Sequence, residues 1–213
     1  MRKRSATAIV VAAILILGAV YLGAQRMSGS GFGFGKPDDG CELTEEPSDE
    51  GVVMVRAECH WNDVSADRLN DLLRDPAIHA QYFSNLGEST VLGEREDVVL
   101  VRQIHQAGGM SDREIVVEWR AEPIHEGYKY HWQKSSDQSA ASGTRVEVAE
   151  STGYWEVVRE GDGARVGYQV RYLPGGNIPG FMVRMFQSSG MRGVLTELRA
   201  AAESDTIVVR AAE

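Results

Sequence analysis

The feature that most constrains this chain lies near its C-terminus, from Tyr172 to Ser204. A run of strand-like sequence ends at Tyr172-Leu173. Pro174-Gly175-Gly176-Asn177-Ile178-Pro179 then makes a rigid turn, and a long apolar stretch with helical spacing follows. The glycines permit positive φ, and Pro179 suits the first turn of a helix, where its missing N–H would have no partner. The spacing predicts a helix over about 180–203, with Val183, Phe186, Gly190, Val194, Leu198 and Ala201 on one face. Met182, Met185 and Met191 widen that stripe. Ser188, Ser189, Gly190 and Gly193 leave the middle without bulk, at close to 1 kcal/mol for each internal glycine relative to alanine. A helix of this kind needs a broad curved surface to lie on, and its bulk-free middle points to a close approach or a cavity floor.

The sequence upstream supplies such a surface. Gly51 to Trp61 alternates, with Val53, Val55, Ala57, Cys59 and Trp61 on one face and Arg56, Glu58 and His60 on the other. Asn62-Asp63-Val64-Ser65 starts a helix with Ser65 as N-cap. Leu69, Leu72 and Leu73 form its apolar stripe, and Asp75-Pro76 stops it. A second short helix is predicted over Ala77 to Phe83. Strand-like runs follow at Val91-Leu92 and from Val98 to His105, and Gly108-Gly109 makes a turn. Ser111 to Ala121 then places Arg113, Ile115, Val117 and Trp119 on one face, with Asp112, Glu114, Glu118 and Arg120 mostly opposite. Gly127 to Lys134 aligns Tyr128, Tyr130 and Trp132. Thr144 to Val158 reads as one long strand in which Gly153 marks a bend or bulge. Glu160-Gly161-Asp162-Gly163 is a hairpin turn, and Ala164 to Tyr172 aligns Val166, Tyr168, Val170 and Tyr172. His105 and His131 alternate away from these faces, toward solvent.

Consecutive antiparallel strands with large inward residues form a curved sheet that one helix only partly fills. The expected ligand-binding set is Arg113, Ile115, Val117, Trp119, Tyr128, Tyr130, Trp132 and Tyr168 from the sheet, with Met182, Met185, Phe186 and Ser189 from the helix. Ordinary core packing is the competing reading for each apolar member. Arg113 is the exception, because a charge on an apolar face must be paired or must meet a polar group of a ligand. Glu94 and Glu150 are candidate partners for it. No nucleophile–base pair is recognisable by spacing, and there is no CxxC motif and no clustered histidine. No catalytic residue, metal or cofactor is therefore assigned, and binding rather than catalysis is expected.

The N-terminus sets the compartment. Arg2-Lys3-Arg4 precedes an uncharged run from Ala6 to Ala24, long enough as a helix to span about 29 Å, close to the hydrocarbon thickness of a bilayer. Residues 1–27 are thus a membrane anchor or a signal peptide, and Leu22, two before the possible cut at Ala24, favours the uncleaved anchor. Either way the rest is translocated. The expected place is a bacterial-type inner membrane facing the periplasm, or the periplasm or medium if the segment is removed. Residues 28–50 read as a flexible linker, 51–204 as the folded domain and 205–213 as a tail. Cys41 and Cys59, an even pair outside the cytoplasm, are candidates for a disulfide, with a buried thiol at Cys59 as the alternative. The chain carries 22 basic and 31 acidic residues, and five of the basic ones lie in the acid-free first 36. The folded part is therefore strongly acidic, which argues against a nucleic-acid partner. A monomer whose partners are a membrane and a hydrophobic small molecule or lipid is expected.

Three local patterns carry a family resemblance. Asp75-Pro76 is followed by Tyr82-Phe83, Asn85-Leu86 and Glu88-Ser89. Ser111-Asp112-Arg113 heads a central strand. Ser151-Thr152-Gly153-Tyr154-Trp155 is followed by Tyr172 to Pro179. In this order, over about residues 50–203, they resemble START-type lipid-transfer domains and the superfamily shared with plant allergen-like proteins and polyketide cyclases. The resemblance implies an α+β helix-grip fold, a curved antiparallel sheet wrapped around a long C-terminal helix. It also implies a hydrophobic tunnel for a sterol, phospholipid or other apolar molecule, and no universal catalytic residue. A cyclase- or aromatase-like enzyme using the same cavity is the alternative it raises. Leu173 departs from the acidic residue that many members carry before the Pro-Gly-Gly turn.

Overall fold

The structure is a computed structural model, and it describes residues 39–47, 53–106, 111–178 and 180–209, with the side chains of 47, 53 and 180–189 outside the description. The expected N-terminal anchor or signal and most of the expected linker lie outside these residues. Among the described residues no helix is long and apolar enough to cross a membrane.

The described strands are β1 (Cys41–Pro47), β2 (Val53–Trp61), β3 (Leu86–Arg95), β4 (Val98–His105), β5 (Arg113–Ile124), β6 (Gly127–Lys134), β7 (Val146–Glu147), β8 (Glu150–Glu160) and β9 (Gly163–Leu173). Eight of them form one antiparallel path in the order β1-β2-β9-β8-β6-β5-β4-β3, and β7 adds a short parallel pairing to β5. Helix α1 (Ala66–Arg74), a 3-10 helix (Pro76–Gln81) and the long helix α2 (Gly180–Glu203) complete the fold. The sheet is strongly curved. Four strand spacings separate β4 from β9, which is about 19 Å in a flat sheet. Yet His105 on β4 and Tyr172 on β9 meet at 2.9 Å.

The local reasons for these elements are those written in the sequence. The Ser65 hydroxyl accepts from the Arg68 N–H and caps α1, and Leu69, Leu72 and Leu73 are fully buried beneath it. The Asp75 carboxylate accepts from Ala77 N–H and begins the predicted second short helix, a 3-10 helix that ends at Gln81. Gly161-Asp162 links β8 to β9 as a two-residue hairpin loop. Gly175 and Gly176 both take positive φ, as the turn into α2 requires. The described half of α2 buries Met191, Leu195, Leu198 and Ala201 at helical spacing.

Several expectations are corrected. Residues 41–47 are not linker but an edge strand. Cys41 pairs with Cys59 and Leu43 with Ala57, and the two cysteines are disulfide-bonded in the core. The acidic side chains of this segment hid a strand that needs only one apolar face. Thr144 to Val158 is not continuous: β7 pairs with β5, and β8 starts only at Glu150. Gly153 makes no bulge, since its pairing to both neighbours is in register. Glu114, expected toward solvent, is 2% exposed, because the segment after β6 folds over it and Ser142 donates to its carboxylate from both N–H and hydroxyl. Arg68 donates to the Ser204 and Ile207 carbonyls, and Ile207 and Val209 pack on the core.

Candidate functional site

The concave face of the sheet, the 3-10 segment and α2 line a partly open cavity of about 320 Å³. Its walls differ from one end to the other. Among the described residues, six aromatic side chains make a closed circuit around it: His79, Trp119, Trp132, Tyr168, Trp155 and Phe83. Each ring meets the next at 4.0–6.1 Å between centroids, and the last returns to the first. The sheet register explains the grouping. Trp119 lies opposite Trp132 and Trp155 opposite Tyr168, and directly opposed residues project to the same face.

Trp132 fits because of Gly153 beside it. A Cβ at Gly153 would lie 2.5 Å from the Trp132 ring and 2.1 Å from the Gln169 carbonyl oxygen. The indole N–H donates to the Ser151 hydroxyl at 3.1 Å, which holds the ring in place. The benefit of Gly153 is therefore space for an aromatic ring.

The other end of the cavity is polar. Arg113 is buried and lines it, with one guanidinium N–H donated to the Ser111 carbonyl. His105 lies opposite Arg113 in the β4–β5 ladder. Its Nδ1 is 2.9 Å from the Tyr172 hydroxyl and its Nε2 is 3.2 Å from Gln103 Oε1. Because that amide oxygen only accepts, Nε2 carries the proton and Tyr172 donates to Nδ1. Burial holds the His105 imidazole down to about 4, so it is neutral at pH 7. Part of the ring surface remains open to the cavity, and water there opposes that shift. His79, 2% exposed, is likewise lowered to about 4 by burial, against the opposing effect of the Leu72 and Leu73 carbonyls. Burial raises the Tyr172 phenol, and the nearby Arg113 charge opposes this.

Of the predicted ligand-binding residues, Arg113, Trp119, Trp132 and Tyr168 line the cavity. Ile115 and Val117 share their face but are sealed in the core. Tyr130 and Tyr128 lie under α1 instead: the Tyr130 hydroxyl donates to the Asn70 carbonyl at 2.9 Å, and Arg74 sits over the Tyr128 ring. The side chains of Met182, Met185, Phe186 and Ser189 lie outside the described residues. Gly190 and Met191 on α2 do line the cavity, in keeping with the bulk-free middle of the helix. Glu150, a candidate partner of Arg113, is instead 2.8 Å from Arg171, and Glu94 is exposed on β3.

The main correction is His105, which faces the cavity and not solvent. Alternation within β4 alone does not say which face is inward, but the register does, since His105 and Arg113 are opposed. His131 is on the outer face beside Glu122, as expected. Sequence reading also missed Tyr172, Gln103, Trp155 and Phe83 as lining residues. For Tyr172 and Trp155 the signal was present, in alternation with Tyr168 on β9 and with Gly153 on β8. Among the described residues, no group of His, Cys, Asp and Glu is arranged to hold a metal ion.

No protein family and no curated protein matches the chain by sequence. Solved structures match by fold. A STAR-related lipid transfer protein from Xanthomonas axonopodis is 21% identical with a TM-score of 0.71, over 79% of this chain and 97% of that one. Human StAR-related lipid transfer protein 5 is 13% identical, TM-score 0.68, over 90% and 97%. The Zhui aromatase/cyclase from Streptomyces sp. R1128 is 13% identical, TM-score 0.52, over 76% and 94%. The chain has the START-type helix-grip fold.

Proposed function

We propose that this protein binds a lipid or other hydrophobic small molecule in its internal cavity, outside the cytoplasm and close to a membrane. The observation that carries the reading is the cavity itself. A partly open cavity of about 320 Å³ has a continuous aromatic wall at one end and a small group of placed polar side chains at the other. That is the composition of a site that takes its affinity from apolar burial, at about 25 cal/mol per Å², and its orientation from a few polar contacts. Arg113 or the Tyr172 hydroxyl holds the polar end of the ligand. The lipid transfer proteins that share the fold support the same reading. The apolar run from Ala6 to Ala24 supports membrane attachment, and the disulfide is in keeping with an oxidising compartment. Transfer between membranes follows if the ligand exchanges through movement near α2. The test is uptake of fluorescent lipid from vesicles by the full chain. Saturable uptake that a cavity-filling Gly190→Trp variant loses is the expected result, and no uptake at all contradicts it.

One observation favours a second reading, a cyclase- or aromatase-like enzyme. Cyclisation and dehydration require a proton donor and acceptor within reach of the bound molecule. The Tyr172–His105 pair and Arg113 put such groups in the cavity wall. Formation of an aromatic product from a linear poly-β-ketone analogue, abolished by Tyr172→Phe, would establish it; no turnover removes it.

A further inference from the structure

One buried amide narrows the ligand beyond its apolarity, provided that the cavity binds a hydrophobe as just proposed. Gln103 lies on the inward face of β4 between Val101 and His105, opposite Ile115 in the β4–β5 ladder. It lines the cavity and is 8% exposed. A side-chain amide carries two N–H donors beside its oxygen, and buried groups of this kind are nearly always hydrogen-bonded. The Gln103 oxygen is engaged, since it accepts from His105 Nε2 at 3.2 Å. Its Nε2 has no hydrogen-bond partner among the described residues. Ser151, also buried in the cavity wall, repeats the pattern. Its oxygen accepts from the Trp132 indole at 3.1 Å, and its O–H donates to no described residue. The acceptors beside these donors are committed. His105 accepts from Tyr172 at Nδ1 and donates to Gln103 from Nε2, and no Asp or Glu is among the described lining residues.

We propose that the natural ligand carries a carbonyl group that accepts from Gln103 Nε2, and that Gln103 thereby selects the ligand's polar group. A carbonyl oxygen only accepts, and donors are what this stretch of wall offers. A hydroxyl in the same place brings a hydrogen of its own. With both His105 nitrogens committed, burying that hydrogen without an acceptor forfeits the desolvation of a donor. An alkane leaves the Gln103 amide buried and unserved. The register shows where the rest of the ligand lies. Gln103 connects through His105 to Tyr172 on β9, and Tyr172 is opposite Ser151 in the β8–β9 ladder. Ser151 in turn holds Trp132, a member of the aromatic circuit. The polar series from Gln103 thus leads to the aromatic end, which takes the apolar part of the molecule.

The experiment is displacement of a neutral naphthylamine probe from the full chain held in amphipol, with protein-free amphipol as background. The competitors share one carbon skeleton: methyl nonyl ketone, the secondary alcohol made by reducing it, and undecane. The ketone is expected to displace the probe at a concentration about tenfold below that of the alcohol, with undecane weaker still. Gln103→Glu keeps the shape and the acceptor for His105 but replaces the free donors by an oxygen, so the order of ketone and alcohol should reverse. Gln103→Met removes the amide and should bring the ketone to the level of undecane, with undecane no weaker than in the wild type. A merely structural role for Gln103 would weaken all three competitors together and reverse nothing. If one variant does not fold, the other reads the same preference, and if neither folds the wild-type ranking decides. An alcohol that matches the ketone in the wild type, or a ketone advantage that survives Gln103→Met, overturns this proposal while leaving hydrophobe binding intact. Failure of the probe and of every competitor to bind overturns both.

Discussion

Replacing Gly153 by alanine tests the aromatic wall most sharply. The added methyl would sit 2.1 Å from the Gln169 carbonyl oxygen and 2.5 Å from Trp132 Cζ2, both well inside the 3.4–4 Å of ordinary contact. The backbone oxygen belongs to the neighbouring strand β9 and cannot turn away. The indole is no freer, since its N–H is held by Ser151 and its neighbours Trp119 and Tyr168 lie at 5.8 Å on either hand. Overpacking of this kind costs about 1–3 kcal/mol. At roughly 2–4 °C per kcal/mol for a domain of this size, the melting temperature should fall by about 2–12 °C. Thermal unfolding followed by circular dichroism reads this directly, and probe uptake should weaken in the same variant because Trp132 must move. A second substitution, Trp132→Leu, should recover part of the lost stability in the Gly153→Ala background, since residues in contact couple. A Gly153→Ala protein that melts with the wild type and binds as well would refute the placement of Trp132 over Gly153.

Three further outcomes are expected. His79 is neutral in the folded protein down to about pH 4, whereas an unfolded histidine protonates near 6.5. The unfolded state therefore binds the extra proton in that window, and stability should fall as pH drops from 6.5 to 4, by at most about 3 kcal/mol from this group. Urea unfolding at pH 7.5, 5.5 and 4.5 checks it, and His79→Phe should reduce the slope. Replacing Cys41 and Cys59 by serine should cost about 3 kcal/mol, the loop-entropy value for a separation of 18 residues, with unchanged cavity binding because neither cysteine lines the cavity. Gly190→Ala should raise stability by up to about 1 kcal/mol, since a Cβ there meets nothing within 4 Å and the helix gains propensity.

Much of this fold is written locally. Ser65 and Pro76 bound α1, Gly161-Asp162 closes a hairpin, and the two glycines at 175 and 176 supply the positive φ that turns the chain into α2. Those signals act within a few residues, and sequence reading recovers them. The cavity is different. Which face of β4 is inward depends on its pairing with β5, a long-range choice that alternation alone leaves open, and so the sequence reads His105 as outward. Tyr128 and Tyr130 alternate with Trp132 and face the same way, but α1 covers the first two and leaves the third at the cavity. That division depends on where a helix of nine residues ends. Gly153 shows the converse: its importance is legible, but its cause, the Trp132 ring on the neighbouring strand, is not.

The central claim is that this cavity holds a ligand, and native mass spectrometry of the full chain, purified without delipidation, tests it most directly. The account predicts a mass above that of the protein alone, displaced as a discrete species on activation and absent from a Gly190→Trp variant. A protein that emerges at its bare mass, and stays so after incubation with lipid extract, would contradict it.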